Sequence, residues 1–343
     1  MKVAVYYNNN DIRIEKRPQP VISEGEVLVR MEATGICGTD TMQWYRIKKA
    51  PRVLGHEMAG KIAAVGKGVE NLKIGDRVFV SHHVPCYSCR HCTNGNHTAC
   101  ESLHAGNYDP GGFSELVRIP EQNVRYGTLI LPDEVSFDDA TMIEPLGCVI
   151  AGQKKAEIKK GQSVLIIGSG VSGLLHVQLA KSKGARVIAS DINPYKLAKA
   201  LEFGADHTIN AVEFTIDRLK TLNEGQLADI VIVCTSSDQA VIDAVNSVER
   251  RGKILFFAVS DADILIPSAR FWRNEISAMF SYGADPEDLR EALNMIANTK
   301  INVHGMITHR LPLSQIQQGF GLASGKSSLK VVLVADNESE NNH

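Results

Sequence analysis

The run VLIIGSGVSGLLHVQLAKSKGARVIASD, Val164 to Asp191, reads as strand, glycine turn, helix and second strand in immediate succession. Four apolar residues, Val164 to Ile167, have the character of a strand buried on both faces. Gly168, Gly170 and Gly173 follow at the spacing GxGxxG, with Val171 and Ser172 opening the helix. The first glycine permits a tight turn, the second lets a pyrophosphate approach the backbone, and the third lets the helix pack on its strand. A helix N-terminus then presents free N–H groups and partial positive charge to an anion. The helix is expected over Val171 to Lys183, with Leu174, Leu175, Val177, Leu179 and Ala180 largely on one side. The second strand, Arg186 to Ser190, delivers Asp191 where a carboxylate accepts hydrogen bonds from both adenosine ribose hydroxyls and repels a 2′-phosphate. A dinucleotide site is therefore expected at Gly168, Gly170, Val171, Ser172, Gly173 and Asp191, with NAD preferred to NADP.

Length and composition set the frame around this run. A chain of 343 residues exceeds the usual size of one domain, so two are expected. The hydrophobic fraction of 44%, the charged fraction of 22% and the net charge of −2 are those of an ordinary soluble protein and give no reason to expect nucleic acid or an anionic membrane as partner. MKVAVYY lacks the build of a signal peptide and no apolar run reaches the length of a membrane span, so the cytoplasm is the expected compartment.

Before the glycine turn the pattern is β-rich. Short runs at Val3 to Tyr7, Ile12 to Glu15, Val27 to Glu32, Met58 to Val65, Arg77 to Val80 and Gly112 to Ile119 are broken by proline and glycine, which fits a barrel-like domain. Ser136 to Lys155 turns helical. After Asp191, helices alternate with strands at His207 to Ile209, Asp229 to Cys234, Lys253 to Phe257 and Ile276 to Phe280, the signature of a doubly wound parallel sheet. Helix Pro286 to Asn298, strand Ile307 to Arg310, helix Ser314 to Leu322 and strand Leu329 to Val334 close the chain and are expected to fold back on the first domain. The tail from Asp336 is polar and expected to be disordered.

Two groups of metal-ligand residues stand out. Cys86, Cys89, Cys92 and Cys100 have the spacing C-x2-C-x2-C-x7-C, which lets one loop wrap four thiolates around a tetrahedral Zn²⁺ in a closed, structural site; an iron–sulfur cluster is the rival reading. His82, His83, His91 and His97 nearby read as ordinary loop histidines. Cys37 in GICGTD and His56 with Glu57 in LGHE are a thiolate, an imidazole and a carboxylate, the ligand types that leave zinc an open position. Glu144 in IEPLG is a further oxygen donor. Cys148 and Cys234 read as small apolar residues.

Taken in order, GICGTD, LGHEMAG, VGKGVENLKIGDRV, the four-cysteine loop, GGFSELVRIP, IEPLGC and the glycine turn resemble the zinc-dependent medium-chain dehydrogenases, in the polyol and threonine dehydrogenase branch, over nearly the whole length. The resemblance implies an α/β fold with a GroES-like catalytic domain (1–145), a Rossmann NAD-binding domain (146–284) and a C-terminal return (285–343), with catalytic zinc and nicotinamide between the domains. It puts Cys37, His56 and Glu144 on the catalytic zinc, with Glu57 alternating or acting through water, and gives Thr39 the hydroxyl that passes the substrate proton. Where classical alcohol dehydrogenases carry a relay histidine this chain has Met42, so a route through water or Glu57 is expected. It implies two zinc ions per chain, NAD, and a homodimer or homotetramer joined through Rossmann strands, with Phe271 to Phe280 as the candidate edge.

The reaction implied is hydride transfer from a secondary alcohol of a polyol, sugar or sugar acid, with L-threonine or a small secondary alcohol or diol as the alternative substrate. Trp44, Tyr45, Tyr108 and Phe113 are candidate pocket residues. Phe280, Ser281 and Tyr282 stand where sorbitol dehydrogenases resemble Phe-Arg-Tyr, so sorbitol does not carry over directly. The zinc-free quinone reductase branch and a non-catalytic NAD-binding sensor are the competing readings.

Overall fold

The structure, a computed structural model, describes residues 1–336, and the chain divides into two compact units. The first comprises Met1–Pro145, Ala284–Thr299 and the chain from Val303; the second comprises Leu146–Gly283 and Lys300–Asn302.

In the first unit the strands are β1 (Lys2–Asn8), β2 (Asp11–Lys16), β3 (Val27–Gly35), β4 (Arg52–Val53), β5 (Glu57–Val65), β6 (Arg77–Ser81), β7 (Leu116–Ile119) and β8 (Thr128–Ile130). The second unit holds β9 (Ser163–Ile167), β10 (Arg186–Asp191), β11 (His207–Asn210), β12 (Ala228–Val233), β13 (Val248–Phe256) and β14 (Ser277–Phe280). The chain then returns to the first unit for β15 (Ile307–Pro312) and β16 (Lys330–Val334).

The larger sheet of the first unit runs β15-β16-β3-β5-β6-β8, with β7 also on β3, and a small sheet runs β2-β1-β4. Together they enclose a core that includes Val5, Val29, Met31, Met58, Val78, Phe113, Val117, Phe320 and Leu333. The returning strand β16 pairs antiparallel with the end of β3, Val332 opposite Gly35, while Gly35 also lies opposite Glu57 of β5. Two strands from the early part of the chain and one from its end therefore meet at one register position. The run expected as a strand from Gly112 is a strand only from Leu116, because the backbone of Gly112 and Phe113 instead donates to Gly55 O and Leu54 O. Asp336, expected in a free tail, accepts from Lys2 Nζ at 2.8 Å and from the Ser314 backbone N–H and hydroxyl. The rest of that tail, 337–343, lies outside the described residues.

The second unit is a six-stranded parallel sheet in the order β11-β10-β9-β12-β13-β14, the doubly wound arrangement, with the crossover helices buried against it. The helix Val171–Ser182 departs from the one-sided pattern expected of it. Every residue from Gly173 to Ala180 is buried, His176 and Gln178 included. Gln153 Nε2 lies 3.3 Å from His176 Nδ1 and donates to the His176 carbonyl, while His176 Nε2 is buried without a partner, and Gln178 exchanges hydrogen bonds with the backbone of Asn302. Burial, with a smaller push from Lys183, drives the His176 imidazole down to about 3, so it packs as a neutral ring edge-on to Phe257. Among the described residues no helix is long and apolar enough to cross a membrane.

The glycines of the turn differ in what they tolerate. A Cβ on Gly173 would collide with the carbonyl oxygen of Gly168, whereas one on Gly170 would meet nothing within 4 Å. Gly173→Ala is therefore expected to destabilise the chain by about 1–3 kcal/mol through backbone displacement, and Gly170→Ala to cost far less. Urea unfolding of both variants checks this, and equal losses would contradict the packing argument.

Candidate metal and dinucleotide sites

Local backbone explains how Cys37 is presented. The chain leaves β3 at Gly35 and turns into a short 3₁₀ helix, Gly38–Thr41, capped by Cys37: its Sγ faces the Thr39 N–H, and Asp40 Oδ2 accepts from the Cys37 N–H at 3.1 Å. His56 and Glu57 arrive from the other side, immediately before and at the start of β5. Because Gly35 and Glu57 are register partners, the two loops meet. Cys37 Sγ, a ring nitrogen of His56 and a carboxylate oxygen of Glu57 lie within 4.8 Å of one another. Glu144 is not in that group; it stands half-buried in the first turn of the helix Ile143–Ala156, where its charge bears on the Tyr108 hydroxyl.

Electrostatics around this cluster are organised by Asp40, which is completely buried. Its Oδ1 lies 3.5 Å from His56 Nδ1 and 3.2 Å from Arg46 Nη2. Burial opposes the Asp40 charge, but His56, Arg46 and the Cys37 N–H outweigh it and hold the carboxyl below its usual range. Burial likewise opposes a charge on His56, yet the carboxylate of Asp40 and the sulfur of Cys37 raise its pKa well above the ordinary imidazole value. A carboxylate behind a ligand imidazole fixes its ring orientation and increases its basicity.

Two further residues tie the cluster down. Arg46 donates from Nε to the Thr39 carbonyl at 3.0 Å and from Nη2 to Thr39 Oγ1 at 2.9 Å, while Thr39 Oγ1 donates to Cys37 Sγ at 3.3 Å. Lys330 of β16 donates from Nζ to Glu57 Oε2, with both side chains almost wholly buried. The other carboxylate oxygen, Glu57 Oε1, is buried without a hydrogen-bond partner. An unanswered carboxylate oxygen beside a sulfur and an imidazole is the donor set that a Zn²⁺ ion satisfies, and three donors leave a coordination position open.

The four cysteines converge more tightly. Their sulfurs all lie within 4.8 Å of one another, with Cys86 Sγ to Cys92 Sγ at 3.9 Å and Cys89 Sγ to Cys92 Sγ at 3.6 Å. Tetrahedral zinc–sulfur bonds of about 2.3 Å put the sulfurs about 3.8 Å apart. The spacing thus fits one ion and leaves no room for the several irons of a cluster. Hydrogen bonds from the Ser88 hydroxyl and from the N–H groups of Ser88 and Cys89 hold the Cys86 thiol down to about 5, whereas burial pushes Cys92 up to about 12.

Of the histidines taken as ordinary, His82 is the exception. Its ring packs 4.9 Å from His56 and 3.7 Å from His83, and its Nδ1 is buried without a partner. His97 instead pairs with Asp285 at 3.2 Å. Among the candidate pocket aromatics, Phe113 packs in the core against Phe320, Trp44 and Tyr45 are exposed on the short helix Gln43–Arg46, and Tyr108 is buried with an unpartnered hydroxyl. Cys148 and Cys234 are only half-buried and join neither donor group. Sequence reasoning missed Asp40, although it ends the GICGTD motif, and Arg46 six residues on, and it had no signal for Lys330.

In the second unit, Gly168 takes φ +95° and Gly170 caps the helix Val171–Ser182. The first intrahelical bond runs from Leu174 N to Gly170 O, so the N–H groups of Val171, Ser172 and Gly173 remain available to a phosphate. Asp191 Oδ2 accepts from the Ser169 N–H at 2.7 Å and Oδ1 from the Asn193 N–H at 2.8 Å, which fixes the carboxylate at the end of β10 with acceptor capacity to spare.

Two protein families match the chain: residues 23–133 match the alcohol dehydrogenase GroES-like domain, and residues 172–298 match the zinc-binding dehydrogenases. The L-galactonate-5-dehydrogenase of Escherichia coli (strain K12) is 31% identical over 328 residues, covering 93% of this chain and 94% of that protein. The sorbitol dehydrogenase of Bacillus subtilis (strain 168) is 30% identical, covering 92% of each. An alcohol dehydrogenase structure from Escherichia coli CFT073, complexed with the cofactor NADH, superimposes with a TM-score of 0.87 at 28% identity, covering 97% of this chain and 99% of that one.

Protons compete with the ion at both donor groups, since a protonated His56 and a protonated Cys92 must each yield. Lowering the pH favours the proton, so zinc affinity is expected to fall as the pH falls, and loading is expected to release protons. Calorimetry in buffers of different ionisation enthalpy measures the release; an affinity unchanged between about pH 6 and 8 would contradict it.

Proposed function

The chain belongs to the zinc-dependent medium-chain dehydrogenases, in their polyol branch, and we propose that it oxidises a secondary alcohol of a polyol, sugar or sugar acid to a ketone with NAD as hydride acceptor. The observation that carries this reading is the convergence of Cys37, His56 and Glu57 around an unanswered carboxylate oxygen. Bound there, zinc supplies Lewis acidity that makes a hydroxyl easier to deprotonate, and NAD supplies the acceptor for the hydride.

The remaining work falls to side chains. Cys37, His56 and Glu57 hold the ion, with Glu144 in reserve as an oxygen donor, and Asp40 keeps the His56 ring aimed. Lys330 restrains Glu57 through one oxygen and leaves the other for the metal. Thr39 Oγ1 passes the substrate proton on, accepting it as its own hydroxyl proton leaves to water or to Glu57. Arg46, 2.9 Å away, stabilises negative charge at that oxygen, a role suited to a site with Met42 in place of a relay imidazole. The cysteine loop closes a second, structural zinc site through Cys86, Cys89, Cys92 and Cys100. Asp191 receives the adenosine ribose and discriminates against a 2′-phosphate. Thiolate-rich metal sites suit a reducing compartment, which supports a cytoplasmic location.

Assembly is expected through β14, the edge strand of the parallel sheet, where Phe280 is 61% exposed and Trp272 on the preceding helix 84% exposed. A second copy would cover both and extend the sheet. Sedimentation showing only a monomer at micromolar concentration would remove this assignment.

The zinc-loaded chain is expected to reduce NAD, and NADP far less well, in the presence of polyols or aldonates, followed by NADH absorbance. Cys37→Ser and His56→Ala are expected to lose turnover by at least about a thousandfold, the scale of removing a Lewis acid, while NADH binding persists. Turnover retained in a variant shown to hold no zinc at Cys37, His56 and Glu57 would refute the assignment.

A further inference from the structure

Among the described residues, four buried side-chain atoms of the first unit have no hydrogen-bond partner: Thr34 Oγ1, Glu57 Oε1, His82 Nδ1 and the Tyr108 hydroxyl. Buried polar groups are nearly always answered, so each exception calls for a reason. Glu57 Oε1 has one, as the oxygen left for the ion. Thr34 Oγ1 lies beside Gly112. His82 and Tyr108 stand together beside the metal donors. The His82 ring packs 4.9 Å from that of His56 and 6.3 Å from that of Tyr108, which meets it edge-on.

Both residues are held by backbone and by ring packing, not by their polar tips. Asn123, itself buried, donates from Nδ2 to the carbonyls of Ser81 and His82 at 2.8 and 3.1 Å. His83 packs against the His82 ring at 3.7 Å. Immediately after Tyr108, two hydrogen bonds between the backbones of Asp109 and Arg118 pin the chain. The imidazole nitrogen and the phenol do not answer each other, and each is able to donate or to accept. A hydroxyl does both at once, whereas an ammonium only donates and a carboxylate only accepts. One hydroxyl between the two rings therefore satisfies both, whichever tautomer His82 adopts.

We propose that His82 Nδ1 and the Tyr108 hydroxyl together bind the hydroxyl on the carbon beside the reacting carbinol, and so select vicinal diols over monohydric alcohols. This rests on the dehydrogenase reading above and assigns two residues to its substrate class. The reacting oxygen belongs at Cys37, His56 and Glu57, and His82 is in ring contact with His56, so the neighbouring carbon carries the group that meets the pair. A site built to hydrogen-bond a hydroxyl rejects the analogue without it strongly, because its own buried polar atoms are then left unpaired.

The test compares 2,3-butanediol, as each stereoisomer, with 2-butanol, which has the same carbon skeleton and lacks that one hydroxyl. With the zinc-loaded full chain and NAD, kcat/KM for the best diol is expected to exceed that for 2-butanol by at least about a hundredfold. Calorimetry on the NADH-bound chain, in which alcohols bind without being oxidised, is expected to show the same preference. His82→Phe and Tyr108→Phe keep a ring and remove the polar atom, and each should cut the margin at least about tenfold, with zinc content and NADH affinity unchanged as the check on folding. A role in packing alone lowers both alcohols together and leaves their ratio intact. A ratio that survives either replacement, as it does if a buried water bridges the two groups, overturns the proposal, and so does equal binding of the two alcohols or binding of neither. The two readings fail separately: a diol preference in binding that depends on His82 and Tyr108, without oxidation of either alcohol, sinks the dehydrogenase reading and leaves the hydroxyl site standing. Oxidation of both alcohols at rates indifferent to His82 and Tyr108 does the reverse.

Discussion

The catalytic unit depends on an ion pair sealed from water, Lys330 against Glu57, with side-chain exposures of 2% and 1%. Burying two charges costs several kcal/mol each, and the pair persists only because geometry returns most of it; removing one partner alone costs about 3–5 kcal/mol. Here the geometry is set by backbone. A side chain at position 35 would collide with both Glu57 and Lys330, so glycine at the end of β3 makes the space in which β5 and β16 exchange charge. The pair also decides what Glu57 can do. One oxygen is committed to the ammonium, the other has no hydrogen-bond partner among the described residues, and the carboxylate stands beside Cys37 and His56.

Asp40 repeats the logic at closer range. A single buried carboxylate serves His56 on one side and Arg46 on the other, and Arg46 in turn grips both the carbonyl and the hydroxyl of Thr39. The imidazole, the sulfur and the hydroxyl are thereby held by one connected set of charges. Such a network is effective when all its members are present and costly when one is missing. The second unit relies on shape instead: Gly173 lets a helix press on its strand, and the N–H groups at the start of that helix remain open to a phosphate.

Much of this was legible before any coordinates. The glycine turn, the alternating strands and helices, and the cysteine spacing are local signals, each fixed by a few neighbouring residues. That Cys37, His56 and Glu57 converge was legible through family resemblance, not through spacing. Lys330 was not legible at all, because 273 residues separate it from Glu57 and a lysine in an apolar strand looks like an interruption. His82 was dismissed for a related reason: nothing local distinguishes a histidine stacked on a metal-site imidazole from one in a loop. The helix Val171–Ser182 was misjudged as amphipathic because Gln178 and His176 count as polar in any pattern, and only the backbone of Asn302 and the side chain of Gln153 reveal how they are accommodated.

The position of β16 also imposes an order on biosynthesis. A ribosome makes the cysteine loop early, and its four sulfurs need only each other to enclose an ion. Glu57 must wait through the whole nucleotide-binding unit before its ammonium partner emerges with the last strand. A nascent chain can therefore acquire its structural metal long before the reactive centre is charge-balanced. Truncation before Lys330, however far from Cys37 and His56 along the polypeptide, strips the buried carboxylate beside them of its charge partner.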